Sequence, residues 1–146
     1  MQMRWQDYES EFEWDGSWRD IYVLNTSVAD WQKLLDFLRT ASYNLNFYID
    51  GEDAVLPSDV AHIFKARAEV SAYLSVDIGE IILNCHFFHD AQIEFDIDPR
   101  EVTDEIKFQR LLAFMQKIAR LLDKDAILTS ENVQSEVILT VQPDST

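Results

Sequence analysis

Apolar and polar residues alternate or recur along this chain with periods that name most of its elements. Phe12 and Trp14 fall on one side of a two-residue repeat and Glu11 and Glu13 on the other. Asp15-Gly16 follows, a dipeptide favoured in tight hairpin turns, and then the run Trp18 to Leu24. Residues 10–24 are therefore expected to form a β-hairpin. Val28, Trp31, Leu34, Leu35 and Leu38 then recur at helical spacing, so a helix is expected over about 27–40, with Ser27 and Asp30 as its capping box.

Leu45, Phe47 and Ile49 alternate in a strand from Asn44 to Asp50 that Asp50-Gly51-Glu52-Asp53 ends. Pro57-Ser58-Asp59 opens a short helix bearing Val60, Ile63 and Phe64. Three strand-like runs follow from Val70 to Asp98. The first is Val70, Ala72, Leu74 and Val76, the second the nearly continuous apolar run Glu80 to Phe88, and the third Ile93, Phe95 and Ile97. Gly79 separates the first two and His89-Asp90 the last two.

The clearest helix covers about 104–123, with Thr103 as its cap and Ile106, Leu111, Met115, Ile118 and Leu122 as its apolar stripe. Acidic Asp104 and Glu105 at its start and Lys117, Arg120 and Lys124 near its end suit the helix dipole. Strands Ala126–Thr129 and Glu136–Val141, joined through Ser130-Glu131-Asn132, complete the order ββαβαβββαββ. That order defines an α+β fold, an antiparallel or mixed sheet with a central meander and its helices packed on one face.

The length of 146 residues, 47% of them hydrophobic and 12% aromatic, is enough for residues 1–146 to form one domain around a substantial core. Three Gly and three Pro leave little room for linker, and no repeat is visible. Charge changes the functional picture more. Twenty-seven acids against twelve bases give a formal net charge of −15. Such a field repels phosphate, which argues against nucleic-acid or anionic-membrane binding; it steers a basic protein surface or a metal ion, or else serves only to keep the protein soluble. The polar start Met1 to Asp7 has no apolar leader, no apolar run nears the length of a membrane span, and the single Cys85 allows no internal disulfide. A cytoplasmic location is the expectation.

Three acidic clusters carry the charge: Asp7 to Asp20, Asp50 to Asp53, and Asp90 to Glu105. In the third, Glu94, Asp96 and Asp98 alternate against Ile93, Phe95 and Ile97, which puts three carboxylates on one side of a strand. With Glu101 they are the candidate docking residues for a basic partner; the plainer alternative is the solvated side of a half-buried strand. Asp96 to Glu101 lacks a calcium-loop pattern and holds Arg100.

Asn84-Cys85-His86-Phe87-Phe88-His89-Asp90 is the stretch that most invites a catalytic or zinc reading. Neighbours on a strand point to opposite faces, so Cys85 and His86 do not form a nucleophile–base pair. Cys85, His86 and His89 lack the spacing of a closed zinc site. No catalytic residue, cofactor or metal is therefore assigned. Trp14, Trp18 and Trp31 fit core positions, whereas Trp5 does not and either packs loosely or meets a partner.

The segments Trp18–Val23, Asn84–Phe88, Ile93–Glu101 and Ala126–Asn132 resemble those of a group of small uncharacterised bacterial cytosolic proteins. The size, acidity and layout are similar to those of the small acidic immunity proteins that neutralise bacterial toxins. That second likeness implies a non-enzymatic domain that binds a basic toxin. Two alternatives stand beside it: a structural or regulatory domain that forms a homodimer, and a small enzyme or metal protein built on Cys85 to His89.

Overall fold

The computed structural model describes residues 2–144. Strands β1 (Arg19–Leu24), β2 (Asn44–Ile49), β3 (Glu52–Ala54), β4 (Ala72–Asp77), β5 (Ile82–His86), β6 (Gln92–Ile97), β7 (Ala126–Ser130) and β8 (Val133–Val141) form one sheet. Its order is β3-β2-β4-β5-β6-β1-β7-β8, and every neighbouring pair is antiparallel. Of the two sheet types expected, the antiparallel one is present, with β4, β5 and β6 as the central meander. The helices are α1 (Trp5–Tyr8), α2 (Val28–Thr40), α3 (Val60–Ala66) and α4 (Glu105–Leu122).

One row of paired positions shows how the core forms. Phe47, Leu74, Cys85, Phe95, Ile21, Leu128 and Leu139 stand in register across seven strands, and all seven are buried. The buried apolar side chains of α2, α3 and α4 join this same cluster. Helices thus pack on one face, and the strand pleat turns the alternate residues to the other.

The first expected hairpin is absent. Glu9–Phe12 forms a 3₁₀ turn, and residues 13–18 are irregular. Two forces override the local alternation. Phe12 is buried with Trp5 and Tyr8 around Phe108 of α4, at ring separations of 5.5–5.9 Å. Arg19, an inward position of β1, is only 5% exposed and donates to the carbonyls of Glu11, Glu13, Ser17 and Trp18. Asp15 accepts from Ser17 rather than starting a two-residue hairpin turn.

Four smaller expectations are corrected as well. Asp50-Gly51 ends β2 as expected, but the chain turns back there into the short strand β3. The N-cap of α4 is Asp104, which accepts from Lys107 N–H, rather than Thr103. Ile106 of that helix is 70% exposed, because the stripe facing the sheet runs through Phe108, Leu111, Phe114, Met115 and Ile118. The Ser27–Asp30 capping box is present in full, although Val28 lies outside the buried stripe.

Candidate functional site

The strand faces turned away from the helices carry two rows of side chains. Asp53, Tyr48, Tyr73, His86, Glu94, Tyr22, Ile127 and Thr140 form the first, each directly opposite the next. Asn46, Ser75, Asn84, Asp96, Asp20 and Thr129 form the second, two residues along each strand. The centre of this face is polar and acidic, and its β2–β4–β5 side is aromatic.

Three carboxylates meet at the centre. Asp96 of β6 accepts from Asn84 Nδ2 at 3.0 Å, and its other oxygen lies 2.6 Å from His86 Nε2. Asp20 of β1 is 2% exposed and accepts from the Tyr22 hydroxyl and from the Asn132 N–H at 2.7 Å. Glu94 is half-buried and accepts a long hydrogen bond from Gln92 at 3.4 Å. Burial pushes Asp20 above the usual carboxylate range against the hydrogen bonds that lower it, with repulsion from Asp96 and Glu131 adding to the rise. Glu94 is raised by burial and by Asp20. Burial opposes the charged form of His86, but Asp96, Glu94 and Asp20 together outweigh it and raise that imidazole.

The β7–β8 hairpin closes over one side of this centre. Its turn residue Asn132, at φ 60°, binds Asp20, and Gln134 donates to Gln92 of β6 at 3.0 Å. Tyr22 is consequently buried on the otherwise open face. Burial and the charges of Asp20 and Glu94 raise its phenol strongly.

The candidate docking residues separate. Glu94 and Asp96 lie on the open face as alternation requires. Asp98 lies one residue past β6, caps a 3₁₀ turn and pairs with Arg100 at 2.9 Å. Glu101 accepts from the Ile82 N–H at 2.8 Å, at the start of β5. Sequence reasoning missed Asp20, Tyr22 and Asn84, because cross-strand register brings them to Glu94 and Asp96. Asp20 was legible only as an acid alternating with Ile21 inside a strand-like run.

Cys85 is buried in the core, where burial raises its thiol well above the ordinary value. His86, its neighbour, faces the opposite side of the sheet. Among the described residues, no three His, Cys, Asp or Glu side chains are gathered as metal ligands would be. Of the tryptophans expected in the core, Trp31 is there. Trp14 is 47% exposed beneath the Arg100 guanidinium, Trp18 is half-buried, and Trp5 packs against the core's edge. Among the described residues no helix is long and apolar enough to cross a membrane.

No family model matches the chain, and no curated protein or solved structure matches it.

Proposed function

We propose that this chain is a non-enzymatic, cytoplasmic binding domain whose uncovered sheet face docks a basic protein, as an immunity protein docks a cationic toxin. The observation that carries this reading is the open face itself. Helices cover one side of the sheet, while the other presents Glu94 and Asp96 among aromatic side chains, with Asp20 buried beside them. A net charge of −15 steers basic partners toward such a surface and away from phosphate. The neighbours of Cys85 support the non-enzymatic part, since its thiol and the His86 imidazole lie on opposite faces.

The test is capture from lysate of the source cell by the wild type and by an Asp53→Lys/Glu94→Lys variant. Both changes fall in the first row of the open face. The proposal expects a basic protein retained by the wild type, released by salt and lost from the variant. Equal retention by both chains would remove the open face from the docking role.

A second reading draws on β8. This edge strand is nine residues long and exposes Val133 and Val137. Unpaired edges of this length favour strand pairing between copies, which supports a homodimer. Sedimentation at increasing protein concentration decides it, and a monomer at all concentrations counts against it.

A further inference from the structure

The aromatic side of the open face has a geometry of its own. Tyr48 of β2 and Tyr73 of β4 stack at 4.8 Å with 24° between ring planes. His86 lies 6.0 Å from Tyr73 and stacks on Phe88 at 4.9 Å, with planes 3° apart. Phe88 is 52% exposed. The four rings form a shelf across β2, β4, β5 and the residues just beyond it, paired face to face, with Phe88 the most exposed of them. The shelf ends at Glu94, which stands opposite His86 in register.

Resting on the docking role proposed above, we infer that this shelf receives an arginine side chain of the basic partner, its guanidinium stacked on the exposed Phe88 ring and paired with Glu94. Charge complementarity selects the occupant. Glu94 and Asp96 bring two carboxylates to the end of the shelf, with Asp20 buried beside them and His86 paired to Asp96. Asp96 is engaged by His86 and Asn84, and Asp20 by Tyr22 and Asn132. Glu94 accepts the long bond from Gln92 and joins no ion pair among the described residues.

Planarity narrows the occupant from any cation to arginine. A guanidinium can lie flat on an aromatic ring while its edge donates to a carboxylate, which an ammonium cannot do in the same way. The chain already makes this arrangement within itself elsewhere on its surface. The Arg100 guanidinium sits 3.8 Å above the Trp14 ring and donates to both Asp98 oxygens at 2.9–3.2 Å. On the open face Glu94 and the ring shelf supply the carboxylate and the aromatic surface, and the partner's arginine supplies the cation.

The experiment titrates the intact chain at low ionic strength with two capped peptides of equal length, one of arginines and one of lysines. Ring and amide resonances are followed by NMR. The arginine peptide is expected to shift Tyr48, Tyr73, His86 and Phe88 and to bind about threefold to fivefold more tightly than the lysine peptide. Phe88→Leu should abolish that preference, and Glu94→Gln should weaken both peptides. Equal affinities, with both peptides weakened by Glu94→Gln, would overturn the arginine assignment and leave the acidic docking face standing. Shifts confined to residues 7–15, or no binding by either peptide, would overturn it too, and the capture experiment then decides the docking role separately. A melting curve checks that each variant is folded.

Discussion

Asp20 of β1 and Asp96 of β6 stand directly opposite one another on the open face, two carboxylates at paired positions of an antiparallel ladder. Like charges so placed repel. The fold tolerates them because each has its own donors: Tyr22 and the Asn132 amide for Asp20, Asn84 and His86 for Asp96. Asp20 also ties the turn between β7 and β8 to the middle of the sheet.

Two substitutions at Asp20 separate its roles. Asp20→Ala strands the buried Tyr22 hydroxyl and frees the Asn132 amide, which should cost about 1–3 kcal/mol. Asp20→Asn keeps an acceptor oxygen and removes the repulsion with Asp96 and Glu94, so its stability should stay close to that of the wild type. Denaturant melts of both variants check this. Equal losses would mean that the charge itself, rather than hydrogen bonding, holds the turn.

His86, Asp20 and Glu94 at the centre contribute to the pH dependence of stability. The His86 contribution is fully present below its ordinary value of 6.5 and is lost as pH rises through its raised folded value. Asp20 and Glu94 are also raised, so the folded state holds their protons more tightly and stability grows as pH falls through their folded values. Asp15 and Asp98 act oppositely. The Ser17 hydroxyl and amide lower Asp15, and Arg100 lowers Asp98, so their contributions hold above 3.8 and are lost as pH falls through the lowered values. The melting temperature should therefore be higher near about pH 6 than near about pH 8.5. A melting temperature that rises over that interval would contradict the assigned couplings.

Arg19 gives a third test. Its buried guanidinium gathers the loop before β1 through four backbone carbonyls. Arg19→Met leaves those carbonyls without their donor and should destabilise the chain by about 2–3 kcal/mol. Arg19→Lys should recover little, because a single ammonium cannot reach carbonyls spread across a fork. Hydrogen exchange in residues 9–18 should accelerate in both variants. Unchanged exchange there would show that Phe12 and Trp5 alone hold the segment.

These positions also show which parts of the fold were legible. Helices α2 and α4 and the strands of the meander follow from local periodicity, since each buries one stripe or one pleat face. The segment before β1 was not legible in that way. Phe12 and Trp14 alternate as a strand would, yet Phe12 answers to Phe108, nearly a hundred residues later, and Trp14 to Arg100. β3 escaped notice because three residues leave too little pattern. At the site, Glu94 and Asp96 were legible from alternation, whereas Asp20 joins them only through the insertion of β1 between β6 and β7.

Cys85 is a core residue, fully buried between Leu74 and Phe95 in register. Burial raises its thiol, so little thiolate is present at neutral pH. Native protein should react slowly with alkylating reagents and unfolded protein quickly. Cys85→Ala should cost about 1–2 kcal/mol through lost packing, with partner binding unchanged. Fast alkylation of the native chain would reopen a nucleophilic role for this residue.

Glu94 separates a docking face from a merely solvated one. Its carboxylate is half-buried, stands opposite both His86 and Tyr22, and is raised by burial and by Asp20. Glu94→Gln keeps the size of the side chain and removes the charge that burial and Asp20 disfavour, so the free protein should become slightly more stable at pH 7. Asp96 would make a poorer test, because replacing it also strands Asn84 and His86. If the open face docks a basic partner, the same Glu94→Gln change should slow association and flatten its dependence on salt. Wild-type binding should also weaken as pH falls through the raised value of Glu94, earlier than an ordinary carboxylate would allow. Melting curves paired with association rates at several ionic strengths read both effects on one variant. A gain in stability without a loss in association rate would leave Glu94 as a strained surface carboxylate and move the docking site elsewhere on the chain.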